Sequence, residues 1–175
     1  MPTSALRRAR QLWPAFGVEA FCICWCAAAA TADPWKDYAV RDSAGLIVGS
    51  GIEVTGQMTD GYRVRLGQLN ADCAGGRTVV RLEVRNFDFG TAPVRVRWTV
   101  PNNKEGSTVW DVCDDGSCIG RWDGEAFAFL QKIVEASELQ LSIEVPHTRP
   151  VNATFKLEGT YAAMQSLSRN CQSMR

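Results

Sequence analysis

Histidine is almost missing from this chain: 175 residues contain one, His147. It sits in Val145-Pro146-His147-Thr148-Arg149-Pro150, whose two prolines mark a loop between strands, so the plain reading is a solvated surface histidine. Without a second histidine, multi-histidine metal sites lose their parts, and nucleophilic triads have little to draw on. An excess of one charge is missing too, with 19 Lys and Arg against 19 Asp and Glu. That balance argues against a nucleic-acid binder, which needs a strong basic surplus. Nowhere is there a run of about 20 apolar residues, the length a membrane-spanning helix requires. No low-complexity tract, internal repeat or linker interrupts the chain.

What is present begins with a leader. Arg7, Arg8 and Arg10 precede an apolar stretch from Ala20 to Ala30, and Ala30-Thr31-Ala32 fits the small-x-small rule for signal peptidase. The expectation is a signal peptide over residues 1–32 and a single exported domain over 33–175, periplasmic or secreted. The Arg7-Arg8 pair is followed by Arg10 and Gln11 where a twin-arginine signal wants apolar residues. Cys22, Cys24 and Cys26 follow large residues, unlike a lipoprotein cysteine, so the protein is read as not lipid-anchored. Loss of the leader removes three basic residues and Glu19, leaving a slight acidic excess.

Of the seven cysteines, Cys73, Cys113, Cys118 and Cys171 lie beyond the leader. An even set in an oxidising compartment reads as disulfides, and four cysteines allow three pairings. Cys113 and Cys118 enclose Asp114-Asp115-Gly116-Ser117, a turn-rich stretch flanked by apolar Val109, Trp110, Val112, Ile119 and Trp122. A hairpin clipped at its tip follows, leaving Cys73 to pair with Cys171. In the chain-entropy model a loop of roughly 100 residues contributes about 4.7 kcal/mol, and the short clip about 2 kcal/mol. A four-thiolate zinc site and a redox pair are the rival readings, although Cys73 and Cys171 stand alone and the close pair lacks the two-residue spacing of redox motifs.

Alternation of apolar and polar residues dominates the middle of the chain. It recurs over 62–66, 80–85, 94–98, 139–145 and 153–158, separated by turn residues such as Asp60-Gly61, Gly75-Gly76 and Pro101-Asn102-Asn103. These are expected to be antiparallel strands with one solvated face. Two helices are expected, over 126–134, with Phe127, Leu130, Ile133 and Val134 on one face, and over 161–170, ending at Cys171. The fold class is therefore α+β, mostly antiparallel sheet, sandwich- or barrel-like, with two short helices and disulfide staples.

Arginine on strands is the first candidate surface. Arg63, Arg65, Arg81, Arg85, Arg95 and Arg97 fall on polar faces and would form one patch of guanidinium forks, suited to carboxylate or phosphate, if their strands are neighbours. The plain alternative is a solvated face with ion pairs to Glu138 and Glu144. Trp110 and Trp122 flank the clipped hairpin, either capping the core or forming an exposed aromatic platform, while Trp98 is expected inside. Asp111, Asp114, Asp115, Asp123 and Glu125 leave open a calcium site or a carboxylate-pair hydrolase, although acidic turns and a helix start also account for them. No catalytic residue, metal ligand or cofactor is assigned.

Two resemblances add to this. Leu69 to Cys73 with Arg77-Thr78, then Phe129 to Ile133, Glu138 to Leu141, Ala153 to Gly159 and a terminal Cys171 resemble small periplasmic accessory proteins associated with bacterial type VI secretion. The clipped Cys113 to Cys118 hairpin, the following helix and Leu157-Glu158-Gly159 are similar to the invasion-associated locus B family. Both resemblances imply a non-enzymatic envelope accessory role exercised through protein contacts. The expected partner is an envelope protein, met without nucleic acid or membrane insertion. The rival expectation is an inhibitor of a cell-wall hydrolase whose clipped hairpin enters the enzyme cleft with Asp114 or Asp115.

Overall fold

The computed structural model describes residues 34–74, 76–101, 104–122, 124–146 and 148–173. The expected leader, His147, Asp123 and the side chain of Cys171 lie outside the described residues. Among the described residues nine strands run in order β1 Trp35–Arg41, β2 Ile47–Thr59, β3 Val64–Ala74, β4 Arg77–Val84, β5 Val94–Val100, β6 Lys104–Val112, β7 Cys118–Arg121, β8 Glu138–Glu144 and β9 Val151–Lys156. Helix α1, Glu125–Ile133, joins β7 to β8, and α2, Thr160–Ser173, follows β9.

All pairings among the described strands are antiparallel, in the order β1-β2-β3-β4-β7-β6-β5-β8-β9. Because β9 also pairs with β2, through Gln57↔Thr154 to Thr59↔Asn152, strands β2 to β9 close into an eight-stranded barrel. Closure removes the open edges of a flat sheet. The rest of that β2 edge is taken by β1, which pairs from Trp35↔Val54 to Arg41↔Ile47 outside the ring. The changeover falls at Gly56, where a Cβ would overlap the Phe155 ring and the Thr154 carbonyl oxygen. Only glycine lets the two strands approach so closely there.

Strand alternation fills the barrel. Ile52, Val54 and Met58 of β2, Leu69 and Ala71 of β3, Val80 and Leu82 of β4, Val94 and Val96 of β5, and Leu139, Leu141 and Ile143 of β8 are all buried. Both helices lie at the end where β7 and β9 finish. Helix α1 buries Ala126, Phe129, Leu130 and Ile133, and its Phe129 ring meets Trp98 and Trp110 edge-on, with centroids 6.3 and 5.6 Å apart. The stripe therefore runs through Phe129, whereas Phe127, expected on the apolar face, is exposed. Helix α2 packs on β1, β2 and β3, and its first residue, Thr160, accepts a 2.9 Å hydrogen bond from the Trp35 indole. The opposite end is built from loops 60–63, 85–93, 113–117 and 145–150.

The phase of one strand reverses the expectation. The β2–β3 register is unbroken from Gly49↔Ala74 to Thr59↔Val64. Leu69, Ala71 and Cys73 hold the inner face, so a period of two puts Gly67 and Arg65 inside and Leu66 and Val64 outside. The short pattern at 62–66, read alone, has the opposite sense. The stronger apolar set further along β3 decides the phase.

Candidate functional site

The six strand arginines do not form one patch. Strands β7 and β6 stand between β4 and β5, so Arg95 and Arg97 lie on a different part of the wall from the others. Both face Glu144 across the β5–β8 pair, at 3.8 and 2.6 Å, the solvated ion-paired arrangement. Glu138 instead takes Lys156 at 2.6 Å. Trp110 is not a surface platform: it is 0 % exposed and belongs to the core. Trp98 is buried as expected, and Trp122 is 39 % exposed beside Arg77, Thr78 and Phe127, at the helix end.

Arg81 belongs to a polar cluster on the barrel wall that the sequence did not bring together. Tyr38 on β1 pairs with Gly51 on β2, whose neighbour on β3 is Asp72. A Cβ on Gly51 would overlap the Tyr38 ring and sit 2.7 Å from Asp72 Oδ1. The missing side chain lets Tyr38 lie across β2 and donate its hydroxyl hydrogen bond to Asp72 Oδ1, while Arg81 Nη2 donates to Asp72 Oδ2 at 2.6 Å. Arg81 Nη1 also meets Glu83 at 3.2 Å. Asp72 is buried, and two donors satisfy its two oxygens, as a buried carboxylate requires. Burial first, then the bond to Asp72, pushes the Tyr38 hydroxyl above its ordinary pKa. The only sequence trace of this cluster is the Gly49-Ser50-Gly51 stretch opposite an acidic residue in an apolar strand.

Arg63, Arg65 and Arg85 gather at the open end, with an apolar set beside them. Tyr62, in the turn before β3, is 77 % exposed, and Val64 and Leu66 are 71 % and 66 % exposed as a consequence of the β3 phase. Asp60 Oδ1 accepts from the backbone N–H groups of Tyr62 and Arg63 at 2.9 and 2.8 Å, which fixes the turn and holds the Asp60 carboxyl below its usual range. Arg149, from the 145–150 loop, stacks over Tyr62 with its guanidinium carbon 5.1 Å from the ring centroid. Arg65 donates from Nη1 to the Asn86 carbonyl at 3.2 Å and lies 5.8 Å from the Phe87 centroid. Among the described residues none of Arg63, Arg65 and Arg85 forms a salt bridge. A groove of about 690 Å³ runs along this rim, lined by Arg65, Leu66, Arg85, Asn86 and Ser117 among others.

The clipped hairpin borders that groove. Cys113 and Cys118 are joined by a disulfide, as expected from their spacing. Cys73 is buried and disulfide-bonded as well. The tip is tied to the barrel at Gly116, which is buried and accepts from the Phe89 N–H at 2.9 Å, while Asp114, Asp115 and Ser117 are exposed. Asp115 accepts from the Ser117 hydroxyl at 2.7 Å and from its N–H at 3.0 Å, and these bonds hold its carboxyl below the usual range. Glu125 pairs with Arg121 at 2.5 Å. Two of the five clustered carboxylates therefore serve local structure, and among the described residues no group of three or more His, Cys, Asp or Glu could hold a metal.

Comparison with known proteins follows this geometry. The family model described as invasion associated locus B (IalB) protein matches residues 66–168, from the exposed part of β3 to the middle of α2. No curated protein matches the chain. The crystal structure of invasion associated protein B from Bartonella henselae is similar with a TM-score of 0.50 and 17 % identity, covering 78 % of this chain and 93 % of that one. At that identity the likeness is one of fold. No helix among the described residues is long and apolar enough to cross a membrane. Because the family model spans more than half of its length, this chain belongs to the invasion associated locus B family.

Proposed function

We propose that this IalB-family chain is a non-enzymatic protein of the bacterial envelope that binds another envelope protein through the open-end rim of its barrel. The observation that carries the reading is the rim itself: Arg63, Arg65 and Arg85, without salt bridges among the described residues, next to exposed Tyr62, Val64 and Leu66. Tyrosine and arginine are the residues most enriched where protein interfaces concentrate their binding energy, and contiguous exposed aliphatics cost a monomer more than they return. A closed barrel supplies a rigid frame, so little ordering entropy is lost when the rim is engaged. The export leader expected over residues 1–32 is consistent with that compartment, and the type VI resemblance makes a secretion-apparatus component one partner class. An inhibitor role for the clipped hairpin has less support, because its tip is bonded to Phe89 and Asp115 is engaged by Ser117.

The test is crosslinking and co-purification of the tagged protein from its native envelope, read by mass spectrometry. Arg63→Glu with Arg85→Glu is expected to lose the enriched envelope protein, and Arg95→Glu with Arg97→Glu to keep it. Equal capture by both double variants would sink the rim reading.

A further inference from the structure

The rim groove carries a more specific chemistry than a basic patch. Arg65 enters it from β3, Arg85 and Asn86 from the segment after β4, and Ser117 from the clipped loop, with Leu66 as exposed apolar surface. The acidic residue on the same wall, Glu83, is held by Arg81 Nη1 at 3.2 Å. Arg65 and Arg85 make no salt bridge among the described residues, and Asp60, whose charge acts on Arg65 through space, is occupied by the Tyr62 and Arg63 N–H groups.

Arg65 is positioned rather than loose. One nitrogen, Nη1, donates to the Asn86 carbonyl, the plane lies over Phe87, and Nε is buried with no hydrogen-bond partner. Asn86 is the one non-glycine residue with positive φ among the described residues, at 57°, an uncommon conformation that asparagine tolerates better than most. A partly desolvated guanidinium with an orphaned donor and no salt-bridge partner is costly, and an incoming carboxylate on its remaining N–H groups offsets that cost. Leu66 sits beside it, exposed, where the neighbouring side chain of an extended segment would rest.

We infer that this groove recognises an acidic segment of a partner protein, in which a carboxylate engages Arg65 and Arg85 and an adjacent aliphatic or aromatic side chain covers Leu66. The inference rests on the reading that the rim binds an envelope protein, and it names the chemistry recognised there. A segment of a protein fits better than a free anion, because guanidinium groups without salt bridges and the exposed Leu66 side chain lie in one groove.

The experiment titrates the isotope-labelled protein with the blocked peptide acetyl-Glu-Leu-Glu-Leu-amide and follows backbone amide shifts. Saturable changes are expected at Leu66, Arg85, Asn86 and Ser117. The glutamine counterpart of the peptide, and separately the exposed-site variant Arg85→Gln, are expected to weaken binding at least tenfold, about 1.4 kcal/mol. Equal affinity for both peptides, changes confined to other surfaces, or no saturation would overturn the inference. So would inorganic phosphate binding the same residues as tightly as the acidic peptide, which would make this a simple anion site. If the peptide fails while Arg63→Glu with Arg85→Glu still loses the envelope partner, the rim reading stands and only the carboxylate chemistry falls. If the peptide binds as expected but envelope capture ignores the rim, it is the protein-partner reading that falls.

Discussion

Tyr38 reaches over a residue with no side chain to bond Asp72, and one atom more on Gly51 would prevent it. The single contact ties β1, which lies outside the ring, to β3 and β4 through Asp72 and Arg81. Tyr38→Phe leaves Asp72 Oδ1 without its donor, and an unsatisfied buried acceptor costs about 1–3 kcal/mol. Urea unfolding is expected to show that loss at neutral pH. The pH dependence follows from the raised folded-state pKa of Tyr38. A hydroxyl whose folded pKa lies above its unfolded value of about 10 contributes stability that is complete below pH ~10 and falls as pH rises beyond it. The wild-type urea midpoint should therefore drop above pH ~10, and the Tyr38→Phe midpoint should drop less. Identical alkaline profiles would mean that the hydroxyl is not held as described.

At the scale of elements, α1 and β3 show how burial overrides local pattern. Helix α1 is short, nine residues, and a helix of that length is marginal in isolation, so its stability comes from the face it buries. Phe129 supplies much of that face, wedged edge-on against Trp98 and Trp110. Phe129→Ala is expected to cost about 3–5 kcal/mol, read as a lowered thermal midpoint and lost near-ultraviolet signal from the two tryptophans. A change under about 1 kcal/mol would mean that the helix is not anchored there. In β3, Leu69, Ala71 and Cys73 set the phase for the whole strand, so Val64 and Leu66 are left outside to help form the rim. An isolated five-residue alternation carries no information about which of its faces a longer strand will bury.

The whole molecule depends on closing the ring between β9 and β2. That seam is only three paired residues long, Gln57 to Thr59 against Thr154 to Asn152, because β1 occupies the rest of the β2 edge. Gly56 marks the point where β9 leaves β2, under the Phe155 ring. Gly56→Val forces that ring and the adjacent backbone to move, an overpacking cost of about 1–3 kcal/mol. Hydrogen exchange should report it as faster exchange at the β2–β9 seam, with the β5–β6 pair unaffected. Uniform exchange across the barrel would show that the seam does not open independently of the global transition. The strand order also places two strands between β4 and β5, so Arg95 and Arg97, paired with Glu144, stand apart from Arg81, paired with Asp72 and Glu83, and from Arg63, Arg65 and Arg85 at the rim.

Much of this protein was readable along the chain. Alternation at 80–85, 94–98, 139–145 and 153–158 located β4, β5, β8 and β9, turn chemistry located the clipped hairpin, and 3.6-residue spacing located both helices, because each signal is local. Strands β1 and β2 were missed: β1 is rich in charge, and in β2 the Gly49-Ser50-Gly51 stretch, buried on both faces, obscures the alternation that runs from Ile52 to Thr59. Cys113 and Cys118, five positions apart, could be paired from sequence since the turn between them dictates their meeting. Only the tertiary structure decided which strands are neighbours, which arginines keep company and which face of β3 meets solvent. Those are questions of long-range register and ring closure, and they depend on pairings between residues far apart in the chain, which no local period encodes.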